Sequence, residues 1–589
     1  MKLPSKPFEF PRDVDWRSPD TLKKAALILC IIVYASFITS IFSLRPVDQV
    51  PPDPYFLFNN LPITYWVGIV CLVALVFLVV IREEVMEHTL SNLITATVVV
   101  LLPSYIFAIP RLIYWNVIYT DTFQFVAQTL YVQKTGHNVI GNETPGLISF
   151  MSGILVDIAG FDLFAYAKYS PIFVSIFISL MIYALSRIIL KDRRFPLVAV
   201  VAFHALSWTG LAYNRQSFAF IYQYLAWMLI VKLSLQTYDR PTVIQYLFVL
   251  TALTISHPAS SLLISLTPVV IIITRKVLET LEPEKDWSAL RMNPTLAILS
   301  SVSWLLWQIN FAASFTALIE QFKITSTNFL GEPDPIAHAV VSGYMPSYHI
   351  IANLRQYSSY YILLTGLLFF LLTVRKDINM KMAVSLFSLC VSPFPFVLYA
   401  NRWRMIPFMY AILPWSIMFA GALKYLKPPE GRLYEVVAER GKALLMLSIL
   451  FFLLLVPLTM YGPAAHMYPP STELSLMDYL TSYGKGSVAV LDPGTTISSY
   501  YEADRLDNEV VYIVRFPFIH ETGLDLENVH YFQIIMPTFR AYSKAAYIQT
   551  YPMYDVATDN FVDMLNLHTS WARVFDSDDW HVAFARVKG

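Results

Sequence analysis

The chain is poor in charged residues, which make up 14% of its 589 residues, against about 25% in a soluble globular protein. Hydrophobic residues make up 56%, and the mean hydropathy is +0.53. Acidic and basic residues number 42 each, so no overall positive field exists to attract nucleic acid. The three cysteines, Cys30, Cys71 and Cys390, lie inside apolar runs and provide neither a disulfide framework nor a zinc site. These shortages exclude a soluble, disulfide-stapled or nucleic-acid-binding protein.

Several catalytic and transport signatures are also missing. The chain has no Walker A run for ATP and no G-x-S-x-G nucleophile elbow. His520 and Glu521 are adjacent, but the second histidine of an H-E-x-x-H zinc site does not follow. Charged residues are scarce in the centres of the apolar runs, where an ion-coupled transporter places a buried carboxylate. The sequence therefore disfavours an ATPase, a zinc protease, a serine hydrolase of this type and an ion-coupled transporter.

Long apolar runs are what the chain has instead, and they predict a polytopic α-helical membrane protein with about thirteen transmembrane helices. The first run follows Arg12, Arg17, Lys23 and Lys24. It is long enough to span and no small-residue cleavage site is evident, so we interpret it as a retained anchor. The predicted spans are 25–43, 62–81, 89–110, 166–190, 195–209, 214–234, 241–256, 257–274, 294–312, 359–374, 380–400, 405–425 and 441–461.

Basic residues predict the orientation, because cytoplasmic loops carry an excess of Lys and Arg. Segment 146–160 has only about fifteen residues and contains Asp157, so we expect it to stay at the outer surface or to re-enter. With this segment uncrossed, the basic clusters share one side, which is the cytoplasm, together with residues 1–24. Those clusters are Arg187/Lys191/Arg193/Arg194, Lys232/Arg240, Arg275/Lys276, Arg375/Lys376/Lys381 and Lys424/Lys427/Arg432/Arg440/Lys442.

This topology places a transmembrane domain at 25–461 in the plasma membrane, with three pieces facing outward. Loop 111–165 has a helical pattern at 122–135, a break at 136–145 and a second helix at 146–160, and loop 313–358 is the second piece. The third, 462–589, is richer in acidic residues, and we predict a small extracytoplasmic α/β domain there. Its predicted strands are Ser487–Leu491, Glu509–Val514, Tyr531–Met536 and Trp580–Ala585, and its predicted helices are 472–482 and 559–568.

Asp121 is the first candidate for chemistry, because it follows a long apolar span and opens an external loop. As a structural residue, Thr120 or Asp121 would cap the helix at 122–135. As a functional residue, Asp121 would serve as a general base or a metal-coordinating carboxylate facing an external cavity, with neighbouring Tyr119 in its wall. The two roles are compatible, and both stay open.

Arginines at outer span ends are the second candidate, in the run Asn401-Arg402-Trp403-Arg404. Arginine there is often a snorkelling anchor, and Trp403 fits an interfacial belt. The guanidinium fork also matches phosphate oxygens, so Arg402 and Arg404 are equally candidates for binding a lipid phosphate or diphosphate. Arg215, at another outer span end, is a further candidate for the same cluster.

His257-Pro258 marks a tight outer turn between two predicted spans. One interpretation is helix punctuation by proline with a hydrogen-bonded histidine; the other is a polar cavity wall. Glu320, His338 and His349 lie in loop 313–358, whose 331–347 part is marked by Gly and Pro, and such loops often close on substrate. Glu320 and Asn401 join His257 and Tyr119 as candidate cavity residues.

This layout resembles the GT-C superfamily of membrane glycosyltransferases, which includes protein O-mannosyltransferases, aminoarabinose transferases and the oligosaccharyltransferase catalytic subunit. In that family a membrane helix is followed by a long external loop with two juxtamembrane helices and an acidic catalytic residue. Here 89–110, Asp121, 122–135 and 146–160 follow in the same order. The short segments that resemble archaeal members in particular are Tyr119–Phe125, Leu130…Gly136-His137 with Pro145-Gly146-Leu147, Arg215–Phe220, Ser256-His257-Pro258 and Arg402-Trp403-Arg404…Pro407.

The resemblance implies a polyprenyl (dolichyl-type) phosphate-sugar donor, whose phosphate meets Arg402 and Arg404. Asp121 would deprotonate or orient the acceptor hydroxyl as it attacks the anomeric carbon with inversion. The chain departs from the family in several ways: no acidic residue follows Asp121, no D-x-D surrounds it, and the tail lacks W-W-D-x-G. These departures leave a divalent metal open, and no cofactor is certain. Spans 25–43 and 62–81 lie outside the usual module.

The sequence therefore favours one function and leaves two alternatives. The first is a glycosyltransferase of protein or cell-surface glycosylation, whose partners would be a polyprenyl-phosphate sugar, membrane lipid and a protein or glycolipid acceptor. The second is a non-catalytic GT-C-like scaffold that binds a cell-surface partner. The third is a flippase for lipid-linked sugars.

Overall fold

The architecture comes from a computed structural model of the chain, which describes the backbone alone along parts of some helices and in all strands. The described residues are 18–47, 55–86, 88–115, 117, 121–136, 147–206, 212–235, 239–281, 283–284, 287, 292–311, 354, 357, 360–361, 364–372, 380–392, 406–425, 432–461, 488–491, 512–514, 531–535, 571–576 and 581–586.

Helices dominate the described part. A 3-10 turn at Glu83–Met86 and a π-helical turn at Thr97–Leu101 interrupt the α-helices. The α-helices are α1 Pro19–Ser43, α2 Phe56–Asn60, α3 Ile63–Ile81, α4 His88–Ala96, α5 Leu102–Ile113, α6 Asp121–Thr135, α7 Leu147–Ala159, α8 Leu163–Leu190, α9 Phe195–Leu206, α10 Arg215–Leu235, α11 Arg240–Ser256, α12 Pro258–Leu281, α13 Pro294–Phe311, α14 Met380–Val391, α15 Ile406–Tyr425, α16 Arg432–Leu454 and α17 Val456–Tyr461.

Within the described residues, seven helices are long and apolar enough to cross a membrane. They are Pro19–Ser43, Ile63–Ile81, Thr89–Ile113, Leu163–Leu190, Arg215–Ser234, Ala259–Leu281 and Arg440–Tyr461. The prediction of a helical membrane protein is confirmed, while the count of thirteen spans stays a prediction. Helix α7 has 13 residues, or about 20 Å at 1.5 Å per residue, so it is too short for a hydrocarbon core of about 30 Å.

The two leading spans belong to the same hydrophobic core as the rest of the bundle. The Tyr105 hydroxyl of α5 donates to the Val33 carbonyl of α1 at 2.7 Å. On α3, a Cβ added at Gly68 would lie 2.1 Å from the Tyr105 hydroxyl oxygen. A glycine is therefore needed where α3 passes the Tyr105 ring.

Helix α9 lies inside the bundle, and all twelve of its residues are buried. It packs against α8, α15 and α16. A helix that is apolar on every side is surrounded by other helices or by lipid. The described part of the run predicted as a span at 195–209 is thus a buried helix of twelve residues.

Five strands from the C-terminal part form one mixed sheet, in the order β2-β1-β3-β5-β4. The strands β1, β2 and β3 are parallel, whereas β5 is antiparallel to both β3 and β4. Four strands coincide with predicted ones, and β4 was not predicted. The predicted helices 472–482 and 559–568 lie outside the described residues, and the extracytoplasmic placement stays a prediction. The strands are β1 Val488–Leu491, β2 Tyr512–Val514, β3 Tyr531–Ile535, β4 Trp571–Asp576 and β5 His581–Arg586.

Candidate functional site

Asp121 is the first residue of α6, eight positions after α5 ends at Ile113. The helix predicted at 122–135 is therefore present and includes Asp121 in its first turn. It ends at Thr135, before Gly136, whose φ of 71° is a left-handed conformation that favours glycine. The residue predicted to open the external loop is therefore also the residue that opens α6.

Helix α6 is fixed by contacts on two sides. The ring of Phe123 lies 5.8 Å from that of Phe164, near the start of α8. The Thr129 hydroxyl forms a 2.7 Å hydrogen bond with the hydroxyl of Tyr213, just before α10. Both Thr129 and Tyr213 are completely buried. The first turns of α6 are thereby held against the N-terminal ends of α8 and α10.

The second external helix, α7, packs along α6. The Gln133 amide donates to the Asp157 carboxylate at 2.7 Å. A Cβ at Gly153 would lie 3.2 Å from Cγ of Gln133, so the two helices approach closely there. The opposite face of α7 carries exposed Met151, Ile154, Leu155 and Ile158. An apolar stripe facing outward is typical of a helix that contacts lipid.

Arg215 is the first residue of α10, and its guanidinium carbon lies 5.3 Å from the centre of the Phe125 ring. Phe125 is one helical turn after Asp121, so Arg215 lies beside the beginning of α6. The side chain of Asn214 accepts a 2.8 Å hydrogen bond from the Ser217 amide and caps α10. This cap fixes the direction in which the chain enters the helix at Arg215.

His257 lies at the break between α11 and α12. Its Nδ1 accepts a hydrogen bond from the Ser260 amide at 3.2 Å, so the ring caps α12. One of the two interpretations of His257-Pro258, a helix break at the proline with a hydrogen-bonded histidine, is therefore present. Burial, with a smaller contribution from the charge of Arg215, lowers the pKa of His257 to about 3. The imidazole is neutral at physiological pH and lies within electrostatic range of Arg215.

Two further cations lie at the end of α5 and near the start of α8, and the sequence-based predictions did not include them. Arg111 is 3% exposed; its guanidinium donates to the Phe107 carbonyl at 3.0 Å and to the Tyr461 hydroxyl at 3.3 Å. The Lys168 ammonium of α8 donates to the carbonyl of Trp115 at 2.9 Å. Both residues stand at predicted outer ends of spans, against the bias of basic residues to the inside. The signal that pointed to Arg402 and Arg404 could have found them too.

The structure thus brings together the beginning of α6, Arg215 and His257. The other predicted site residues lie outside the described residues: Tyr119, Glu320, His338, His349, Asn401, Arg402 and Arg404. In the described part of the chain, no three His, Cys, Asp or Glu side chains are grouped in a way that could hold a metal ion.

No protein-family model and no curated protein matches the chain. Among solved structures, the chain is similar to the crystal structure of the Archaeoglobus fulgidus oligosaccharyltransferase complex with Zn and sulfate. The TM-score is 0.48, the sequence identity is 10%, and the match covers 75% of this chain and 68% of that one. A likeness at this level identifies neither residues nor chemistry.

Proposed function

We propose that the chain is a membrane glycosyltransferase that acts at the outer membrane face. It transfers a sugar from a polyprenyl (dolichyl-type) phosphate to an acceptor hydroxyl, in protein or cell-surface glycosylation. The observation that carries the proposal is the position of Arg215 over Phe125, one turn after Asp121. An acidic residue and a guanidinium at one end of a membrane bundle are the two groups that such a transfer needs.

In the proposed reaction, the acceptor oxygen attacks the anomeric carbon from the face opposite the phosphate. Asp121 takes the proton of the attacking hydroxyl as the new carbon–oxygen bond forms. The bond between the anomeric carbon and the phosphate oxygen breaks, and the lipid phosphate leaves with the electron pair. One displacement inverts the configuration at that carbon.

Positive charge must compensate the leaving phosphate as it gains negative charge. Arg215 can supply it, because a guanidinium presents N–H donors in a fork that fits phosphate oxygens. Arg402 and Arg404 are proposed to join it. His257 is neutral because of its low pKa, so we assign it a polar, uncharged part of the cavity wall, and Tyr119, Glu320 and Asn401 stay candidates for the same wall.

The sharpest test is Asp121→Asn in the full-length protein, reconstituted with a polyprenyl-phosphate sugar and an acceptor. Loss of a general base is expected to lower the transfer rate about 10²- to 10⁴-fold. Asp157→Asn is the matched control: it removes a carboxylate from the neighbouring helix, while the amide oxygen of the variant side chain still accepts from Gln133. Full activity of the Asp121→Asn protein would remove Asp121 from the mechanism.

Two other measurements separate the remaining functions. A lipid extract of the purified protein, analysed for a polyprenyl phosphate, tests whether the expected donor class binds at all. Scrambling of lipid-linked sugar in liposomes without an acceptor would instead favour the flippase. Donor binding without transfer or scrambling would favour the scaffold.

A further inference from the structure

Lys168 is a half-buried cation near the start of α8. Its ammonium donates to the Trp115 carbonyl at 2.9 Å and lies 5.2 Å from the centre of the Tyr169 ring. Among the ion pairs of the residues that the structure describes, none involves Lys168. An ammonium has three donors, and a carbonyl satisfies one of them. The remaining donors are therefore open to an anion, with which an ammonium forms charge-assisted hydrogen bonds.

A second cation lies close by along the chain. Arg111, an almost completely buried residue, comes four residues before Trp115, whose carbonyl Lys168 contacts. Two like charges in a partly desolvated environment repel each other more strongly than in water. An anion beside Lys168 would relieve the repulsion and would use the remaining ammonium donors.

Lys168 also lies next to the helix that begins with Asp121. Phe164, one turn before Lys168 on α8, contacts Phe123 of α6. Arg215 contacts Phe125 of the same helix. Two residues before Lys168 on α8, the ring of Tyr166 lies 5.8 Å from that of Tyr213, which comes two residues before Arg215. Lys168 and Arg215 therefore lie on two helices that meet beside the beginning of α6.

Lys168 lies near one end of α8, a helix that is longer than a hydrocarbon core is thick. The helix has 28 residues, or about 42 Å, which exceeds a hydrocarbon core of about 30 Å by about 12 Å. Lys168 is the sixth residue, so it lies within about 9 Å of the helix start. With the predicted outward orientation of this helix end, Lys168 lies at the depth of the lipid phosphates, which its side chain can reach.

We propose that Lys168 binds a phosphate group at the N-terminal end of α8, with Arg111 supplying additional positive potential. The group is the phosphate of a polyprenyl lipid or free inorganic phosphate. The identification of the lipid form with the sugar donor rests on the function proposed above, whereas anion binding by Lys168 does not. Lys168 then adds a phosphate contact near the beginning of α6, from a different helix than Arg215.

The test measures binding of polyprenyl phosphate, without a sugar, to the full-length protein in nanodiscs of neutral lipid. Lys168→Gln is expected to weaken binding roughly ten- to hundredfold, the effect of one lost hydrogen bond to a charged group. Lys168→Arg keeps the charge and should restore most of the affinity. Lys276→Gln is the control for net charge, since Lys276 on α12 is 81% exposed and is absent from the site. Equal thermal unfolding of all variants shows that they are folded.

Competition by inorganic phosphate distinguishes the two sources of the ligand. If millimolar phosphate displaces the lipid from the wild-type protein, the site accepts the free ion; if it does not, the site requires the lipid form. The proposal is overturned if Lys168→Gln binds like the wild type, or if Lys276→Gln weakens binding as much. No sugar is transferred in this assay. Weakened binding by Lys168→Gln therefore supports the phosphate site even if Asp121→Asn leaves transfer intact and the proposed catalytic role fails.

Discussion

Protonation of His257 offers a quantitative test of how the candidate site is packed. In the folded protein its pKa is about 3, because burial and the charge of Arg215 disfavour the imidazolium. In the unfolded chain it returns to about 6.5. Unfolding therefore takes up a proton between these two values. The stability associated with His257 is complete above about pH 6.5 and is lost as the pH falls towards 3.

The size of the effect follows from the two pKa values. Between about pH 7.5 and pH 5.0, proton uptake by the unfolded chain lowers the free energy of unfolding by about 2 kcal/mol. His257→Asn removes this titration and keeps a good helix cap, because the Asn side chain can accept from the Ser260 amide. His257→Ala removes the titration and the cap, so it should cost about 1 kcal/mol at both pH values.

The measurement is denaturant unfolding of wild type, His257→Asn and His257→Ala in the same detergent at both pH values. The difference between wild type and His257→Asn cancels every other titrating group. It should shift by about 2 kcal/mol in favour of the variant on acidification. A difference that stays constant with pH would show that the folded His257 titrates normally, and the buried capping role would be wrong.

Two further predictions concern Arg215 and Gly68. In titrations of the polyprenyl-phosphate donor, Arg215→Gln should raise the KM roughly tenfold or more, and Arg215→Lys should have an intermediate KM. The control is Arg240→Gln, which changes an exposed arginine at the start of α11 and should leave the KM unchanged. Equal donor KM values for Arg215→Gln and wild type would contradict the phosphate contact. Gly68→Ala should destabilise the protein by about 1–3 kcal/mol in thermal or denaturant unfolding, because its Cβ would lie 2.1 Å from the Tyr105 hydroxyl oxygen. In a protein that already carries Tyr105→Ala, the further change Gly68→Ala should be nearly neutral. If Gly68→Ala destabilises the Tyr105→Ala protein as much as it destabilises the wild type, the clash lies elsewhere.

Helix ends that are marked by a proline or a glycine were predictable from the sequence. Helix α12 begins at Pro258, directly after a histidine that caps it, and α6 ends before Gly136. Proline fixes the φ value of a first helical residue, and glycine accepts the left-handed conformation that ends a helix. Both signals act within a few residues, so they can be read without a structure.

Strand β4 was missed for an equally local reason. Its pairing with β5 shifts register between Arg573 and Phe575. Such an irregularity inserts a residue and interrupts the alternation of apolar and polar side chains. A search for period-two alternation therefore passes over Trp571–Asp576, although its neighbour β5 was predicted.

Lys168 was missed because hydropathy averages over a window. One lysine among the apolar residues of 166–190 does not change the prediction of a span. Its environment depends on Trp115, 53 residues earlier in the chain. Contacts over such separations leave no pattern in a single sequence.

The electrostatics of the site depend on which helix ends meet there. The contacts of Phe123 and Phe125 bring the beginnings of α6, α8 and α10 together, and the charge of Arg215 acts on His257 at the beginning of α12. A helix N-terminus favours an anion through its dipole and its free N–H groups. The carboxylate of Asp162 caps α8 and offsets that charge, whereas α10 and α12 have the neutral caps Asn214 and His257.

Neutral caps have a functional consequence. Because Asn214 and His257 satisfy N–H groups without adding negative charge, the partial positive charges of α10 and α12 remain and add to that of Arg215. On α8, where a carboxylate cap removes this contribution, the side chain of Lys168 supplies positive charge instead. Asn214→Asp should therefore keep the cap of α10 while weakening binding of a phosphate lipid, and native mass spectrometry of the protein with polyprenyl phosphate can measure the change. Unchanged or tighter binding would show that the phosphate does not approach the start of α10.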